Sequence, residues 1–86
     1  SDLLKNIAKN LKLGVIEIEC GSEGDGVLAE TTKLIAKKGI GIRQAYAEDT
    51  ELQENPKLTI ITEEIVSGDV INEFLKIKGV TRVSIY

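Results

Sequence analysis

The residues best placed to do chemistry are the acids and glycines of Glu23-Gly24-Asp25-Gly26, which run directly into Val27-Leu28-Ala29, and the guanidinium of Arg43. A glycine-rich turn that opens a helix leaves backbone N–H groups unpaired, and such ends attract small anions. A ligand carboxylate could sit there. Arg43 could grip the same group, because its planar fork binds a carboxylate through two parallel hydrogen bonds. Each residue also has a plainer role. Gly24 and Gly26 suit any tight strand-to-helix turn. Glu23 and Asp25 repel a free carboxylate and suit an ammonium, and Asp25 can cap the helix. Arg43 can form an exposed ion pair with Glu17 or Glu19 across a sheet.

Other chemistries lack the residues they need. Cys20 shares an alternating face with Ile16 and Ile18, and with no His in the chain it has no imidazole beside it. One Cys and no His leave zinc without ligands, so no metal and no cofactor is expected. Glu48, Asp49, Glu51 and Glu54 lack the ligand spacing of a calcium loop. Ser22 and Ser67 have no activating base, and Ser67 suits a helix cap. Glu63-Glu64 would point to opposite faces of a strand. The net charge is −3, Lys37-Lys38 is the longest basic run, and aromatic residues make up 3% of the chain. Nucleic-acid binding therefore has neither clustered cations nor a stacking surface. With 86 residues, 42% of them apolar, the chain forms one small domain. A single Cys excludes an internal disulfide, and the absence of a signal-like or membrane-length apolar segment points to the cytoplasm.

The elements that must position these residues follow from periodicity. Asp2 to Leu13 predicts a short helix with Leu3, Leu4, Ile7, Ala8 and Leu11 on one stripe, stopped at Gly14. The helix must pack on something, such as the end of an upstream domain or a partner subunit. Gly14 to Cys20 alternates, which predicts a strand with one buried face and one wetter face. After the turn, Val27, Leu28, Thr31, Leu34, Ile35 and Lys38 recur at helical spacing, with Asp25 as N-cap and Gly39 just past the end. Ile40, Ile42, Gln44 and Tyr46 alternate with Gly41, Arg43, Ala45 and Ala47 in a second strand. Glu48 to Pro56 is a connection, and Leu58 to Ile61 begins a third strand that extends to about Glu63. Ser67-Gly68-Asp69 opens a helix with Val70, Ile71, Phe74, Leu75 and Lys78 on one side, and Gly79 stops it. Val80 to Tyr86 is a fourth strand. The order β-α-β-β-α-β with right-handed crossovers gives an α+β, ferredoxin-like sandwich: a four-stranded antiparallel sheet with two helices on one face.

At the turn the sequence becomes more specific. The segment from Val15 to Ile42 resembles the first half of an ACT domain, a small amino-acid-sensing module of metabolic regulators. The family pattern is an apolar strand, a loop of the type Asp-x-Pro-Gly-Val-Leu-Ala, a helix, and Gly-Ile-Asn-Ile. The corresponding stretches here are Glu23-Gly24-Asp25-Gly26-Val27-Leu28-Ala29 and Lys38-Gly39-Ile40-Gly41-Ile42. Lys78-Gly79-Val80 before the last strand also fits. The departures are Glu23 and Asp25 in the loop and Gly41 where the family often has an Asn that helps hold the ligand. The segment from Gly14, with Ile42-Arg43-Gln44 and Val83-Ser84-Ile85-Tyr86, is similar to archaeal predicted regulators of amino-acid metabolism. In those an ACT domain follows a helix-turn-helix-like region, so residues 1–13 would be the end of a linker or upstream domain and 14–86 the regulatory domain.

The resemblance implies a non-enzymatic, allosteric homodimer paired through a sheet edge, with Ile40 to Ala47 as the expected edge. A small amino acid or related metabolite would bind at the dimer interface, near Glu23, Gly24, Asp25, Gly26, Val27, Leu28, Gly41, Ile42 and Arg43. The alternative is a dimerisation module that has lost ligand binding, which Gly41 favours. An enzyme of the acylphosphatase type, also ferredoxin-like, needs an Arg in the first loop and an Asn, and the first loop here has no Arg.

Overall fold

A computed structural model describes residues 2–21, 26–48 and 57–86. The elements are α1 (Asp2–Asn10), β1 (Gly14–Cys20), α2 (Val27–Lys37), β2 (Ile42–Glu48), β3 (Lys57–Thr62), α3 (Ile71–Leu75) and β4 (Val80–Ile85). The strands form one antiparallel sheet in the order β2-β3-β1-β4. This is the ferredoxin-like α+β sandwich, with β2 and β4 at the edges. The third strand ends at Thr62, and the Glu63 N–H then donates to the Gly41 carbonyl at 2.9 Å.

The core lies between the sheet and α2 and α3. Ile16, Ile18, Ile35, Ile60 and Phe74 are its fully buried large side chains, and Cys20, Val27, Leu58, Val66 and Val70 complete it. On α2 the buried positions are Val27, Thr31 and Ile35, one per turn. Leu28, expected on the same stripe, is exposed. The second helix is shorter than its spacing predicts. A 3-10 turn over Gly68–Val70 precedes α3, Ser67 holds the cap position without a side-chain hydrogen bond, and Leu75 faces solvent.

Helix ends separate two uses of glycine. Gly39 has φ 74°, and the Ile40 N–H donates to Ile35 C=O at 3.2 Å while Gly39 N–H donates to Ala36 C=O at 2.9 Å. These paired bonds close α2 as expected. At α1 the same closure falls on Lys12, which takes φ 59°, with Leu13 N–H bonded to Ala8 C=O at 2.8 Å. Gly14 is therefore not the stop. It begins β1, where a Cβ would collide with Thr62 Oγ1 and come within 2.6 Å of Glu64 O.

Two further expectations are corrected. Both faces of β1 are buried, because α1 lies over the outer one: Val15 and Glu17 are as hidden as Ile16 and Ile18. The helix presents Ala8 to the sheet and leaves Leu3, Ile7 and Leu11 exposed. The second strand also does not alternate simply. Ile42 pairs with Thr62, but Gln44 pairs with Ile61, so Arg43 is the extra residue of a β-bulge. Beyond it Ala45 and Ala47, opposite Ile60 and Leu58, share the core face with Ile42, while Gln44 and Tyr46 turn to the outer face.

Candidate functional site

The turn after β1 delivers α2, whose N-cap position is held by Gly26 rather than Asp25. Gly26 has φ 84° with nothing within 4 Å of where a Cβ would stand, and it makes no side-chain cap bond. Its carbonyl accepts from Glu30 N–H at 3.0 Å, the first bond of the helix. Glu23, Gly24 and Asp25 lie outside the described residues, as does the connection between β2 and β3, residues 49–56. Val27 is part of the core, and Leu28 is 49% exposed beside it.

The other half of the predicted site sits where β2 begins. Gly41 is exposed, and a Cβ there would stand 3.0 Å from Glu63 Cγ. Ile42 is partly buried against the core. Arg43, carried by the bulge, has Nη1 3.6 Å from Glu63 Oε2, and both side chains are about half exposed. The ion partner is thus Glu63 rather than Glu17 or Glu19. Such an exposed pair holds the guanidinium weakly and leaves it able to exchange partners.

The register separates these halves. Ile42 is level with Thr62, and Thr62 with Gly14, so Gly41, Ile42 and Arg43 lie at the end where β1 begins. The turn follows Cys20 at the opposite end, about 20 Å away along a seven-residue strand. Among the described residues, Cys20, the last residue of β1, and Arg43 therefore lie at opposite ends of the sheet.

Glu17 is the charged group that sequence reasoning missed. Only 5% exposed on the covered face of β1, it receives Lys5 Nζ from α1 at 2.8 Å on Oε1, and Lys57 from β3 on Oε2. Lys5 is the largest of the influences that favour the charged carboxylate, ahead of Lys57. The Lys5 ammonium also lies 3.9 Å from the centre of the Tyr86 ring. Burial alone pushes this carboxyl up, but Lys5, Lys57 and Tyr86 together outweigh it and hold the pKa at about 2. The Glu17 carboxylate, and then Tyr86, raise Lys5 in turn. The signal available in the sequence was a Glu between two isoleucines in a strand that an amphipathic helix could cover. Cys20 is buried, and burial pushes its thiol up, away from the reactive thiolate.

Between α2 and α3 the fold gathers a second set that the sequence keeps apart. Lys33 and Lys37 from α2, with Lys76 and Lys78 from the turn after α3, line a groove of about 450 Å³ together with Leu34 and Ile77. Glu30 and Glu73 share it, and Glu73 pairs with Lys38. No cluster of His, Cys, Asp and Glu among the described residues could hold a metal ion, and no described helix is long and apolar enough to cross a membrane.

No family model and no curated protein matches the sequence. Solved structures do match the fold. The C-terminal domain of the MgtC protein from Mycobacterium tuberculosis superposes with a TM-score of 0.69 at 17% identity, over 88% of this chain and 86% of that one. The ACT domain from GTP pyrophosphokinase of Chlorobium tepidum superposes with a TM-score of 0.63 at 18% identity, over 86% of this chain and 96% of that domain. The chain has the ferredoxin-like fold of an ACT domain.

Proposed function

We propose that this chain is a non-enzymatic, ACT-type regulatory domain that binds a small amino acid or related metabolite at a homodimer interface. The turn Glu23-Gly24-Asp25-Gly26-Val27-Leu28 of one protomer and Gly41, Ile42 and Arg43 of its partner form the site. The observation that carries this reading is the register. Among the described residues, Gly41 to Arg43 start β2 at the end of the sheet opposite Cys20, and β2 is an edge strand, which supports this reading. A two-fold axis that pairs two β2 strands antiparallel brings the beginning of one strand level with the end of the other. The Arg43 end of one protomer then meets the turn end of its partner. The acids Glu23 and Asp25 suit the ligand ammonium, and Arg43 suits its carboxylate. Binding at such a junction favours one dimer arrangement and shifts whatever is joined to residues 1–13, for which a helix-turn-helix-like domain is our candidate.

Calorimetry with the twenty amino acids, on a sample shown to be dimeric, tests the reading. We expect one small group of amino acids to bind, and Arg43→Ala to weaken them about tenfold or more, as for loss of a charge-assisted pair. No heat with any amino acid removes this version. A second reading, a dimerisation module without a ligand, is favoured by Gly41 and by the Arg43–Glu63 pair. It expects a dimer that is silent in calorimetry.

A further inference from the structure

The helix face of the sandwich gathers positive charge that the sequence disperses. Lys33 and Lys37 stand one turn apart on α2, Lys76 and Lys78 follow α3, and all four line the groove of about 450 Å³ between the two helices. That volume is within the range of small-molecule sites. All four lysines are exposed. Leu34 and Ile77, partly buried against the core, give the groove its apolar surface.

The charge in this groove does not balance. Glu73 is held by Lys38. Among the described residues, Lys33, Lys37, Lys76 and Lys78 form no ion pair, and neither does Glu30. Setting Glu73 against Lys38, and Glu30 against any one of the four lysines, leaves an excess of three positive charges. Like charges one helical turn apart, as at Lys33 and Lys37, disfavour a helix, and Glu30, one turn before Lys33, offsets only one of them. The chain as a whole carries −3. Overall charge therefore opposes an anion, and only a local excess can hold one.

We propose that the groove between α2 and α3 binds a compact polyanion of the oligophosphate class. No described Arg lines it, so the flat fork that matches a carboxylate is missing. Ammonium groups act as point charges and suit phosphate oxygens, which accept from several directions. Lysines on two sides of the groove are met together only by linked phosphates, whereas a single orthophosphate engages too few of them. The phosphate chain bridges α2 and the turn after α3, so its binding stabilises the fold by mass action. This site lies on the helix face, away from the β2 edge, and it stands whether or not an amino acid binds at the dimer interface.

The probe is sodium tripolyphosphate, titrated in magnesium-free buffer at low salt and followed by amide NMR, with orthophosphate, citrate and ATP as comparisons. Saturable shifts are expected at Lys33, Leu34, Lys37, Ile77 and Lys78, with orthophosphate and citrate at least about fivefold weaker. ATP distinguishes the two sources of this chemistry. Binding tighter than tripolyphosphate assigns the phosphate chain of a nucleotide, with its base on Leu34 and Ile77; otherwise the free chain is assigned. Lys33→Glu and Lys76→Glu, both at exposed positions and checked for native spectral dispersion, should each weaken tripolyphosphate at least about fivefold. Lys9→Glu, on α1 across the sheet, makes the same change in net charge and should alter affinity less than about twofold. The proposal is overturned by absence of saturable binding, or by orthophosphate or citrate binding as tightly as tripolyphosphate. Equal weakening by Lys9→Glu and Lys33→Glu overturns it too, since net charge would then be the cause. Shifts confined to residues outside the groove, such as 27–28 and 41–43 at the dimer-interface site, overturn it likewise.

Discussion

The residue that most shapes this fold's response to its surroundings is Glu17. Its carboxyl in the folded chain is held at about 2, below its ordinary 4.5, so the unfolded chain binds that proton more tightly. The resulting stabilisation is fully present above about pH 4.5 and is lost as pH falls towards 2, and it is on the order of 3 kcal/mol. Urea denaturation at pH 7 and pH 3 should show the loss. Glu17→Gln should be less stable by about 3 kcal/mol at pH 7, because Lys5 and Lys57 lose their counter-charge, and its stability should vary less across the same window. Thr31 is the opposite case. Its side chain is fully buried on α2, and Oγ1 has no hydrogen-bond partner. A buried hydroxyl without a partner carries a desolvation cost that an isosteric methyl lacks. Thr31→Val should therefore raise stability by about 1 kcal/mol, read as an increase in the urea midpoint at unchanged slope.

At the scale of elements, the signals that depend on local chemistry were legible in the sequence. The strand at Gly14–Cys20, the helical spacing of Val27, Thr31 and Ile35, and the stop at Gly39 all appear where the residues place them. What was not legible depends on contacts between distant segments. Nothing local says that α1 would fold over Val15 and Glu17 and turn a wet face into a dry one. The bulge at Arg43 is set by pairing with β3, so simple alternation put Gln44 and Tyr46 on the wrong face. Of the candidate site, Gly41 to Arg43 are consecutive in the sequence at the start of β2, and the strand length that separates them from Cys20 required the register. Gly14 shows the same limit, since it resembled a helix stop and is instead a point of close packing. A Cβ there meets the Thr62 side chain and backbone atoms of Glu64 and Val66. Gly14→Ala should cost about 2 kcal/mol or more through overpacking against backbone that cannot retreat. Thermal unfolding of this variant beside Gly26→Ala, where space is open and only the left-handed backbone is strained at about 1–2 kcal/mol, would separate the two causes.

For the molecule as a whole, the exposed edge at β2 is the feature that calls for a partner. Light scattering at high micromolar concentration should give a dimer. Ala45→Lys, which sets like charges near one another across an antiparallel β2–β2 seam, should shift it towards monomer. A monomeric wild type would remove the interface on which the regulatory reading depends. The bulge gives that assembly an unusual freedom. Dropping one residue from a strand ordinarily turns every later side chain over and empties the core. Here the register already carries one residue more on β2 than on β3 between Ile42 and Gln44. Excising Arg43 outright would leave Ile42, Ala45 and Ala47 facing the helices and Gln44 and Tyr46 facing outward. A chain shortened by that single amino acid should fold and, on the proposed reading, lose amino-acid binding in calorimetry. The position can be gained or lost as a unit, so the guanidinium at this edge can come and go by insertion and deletion while the scaffold stays as it is.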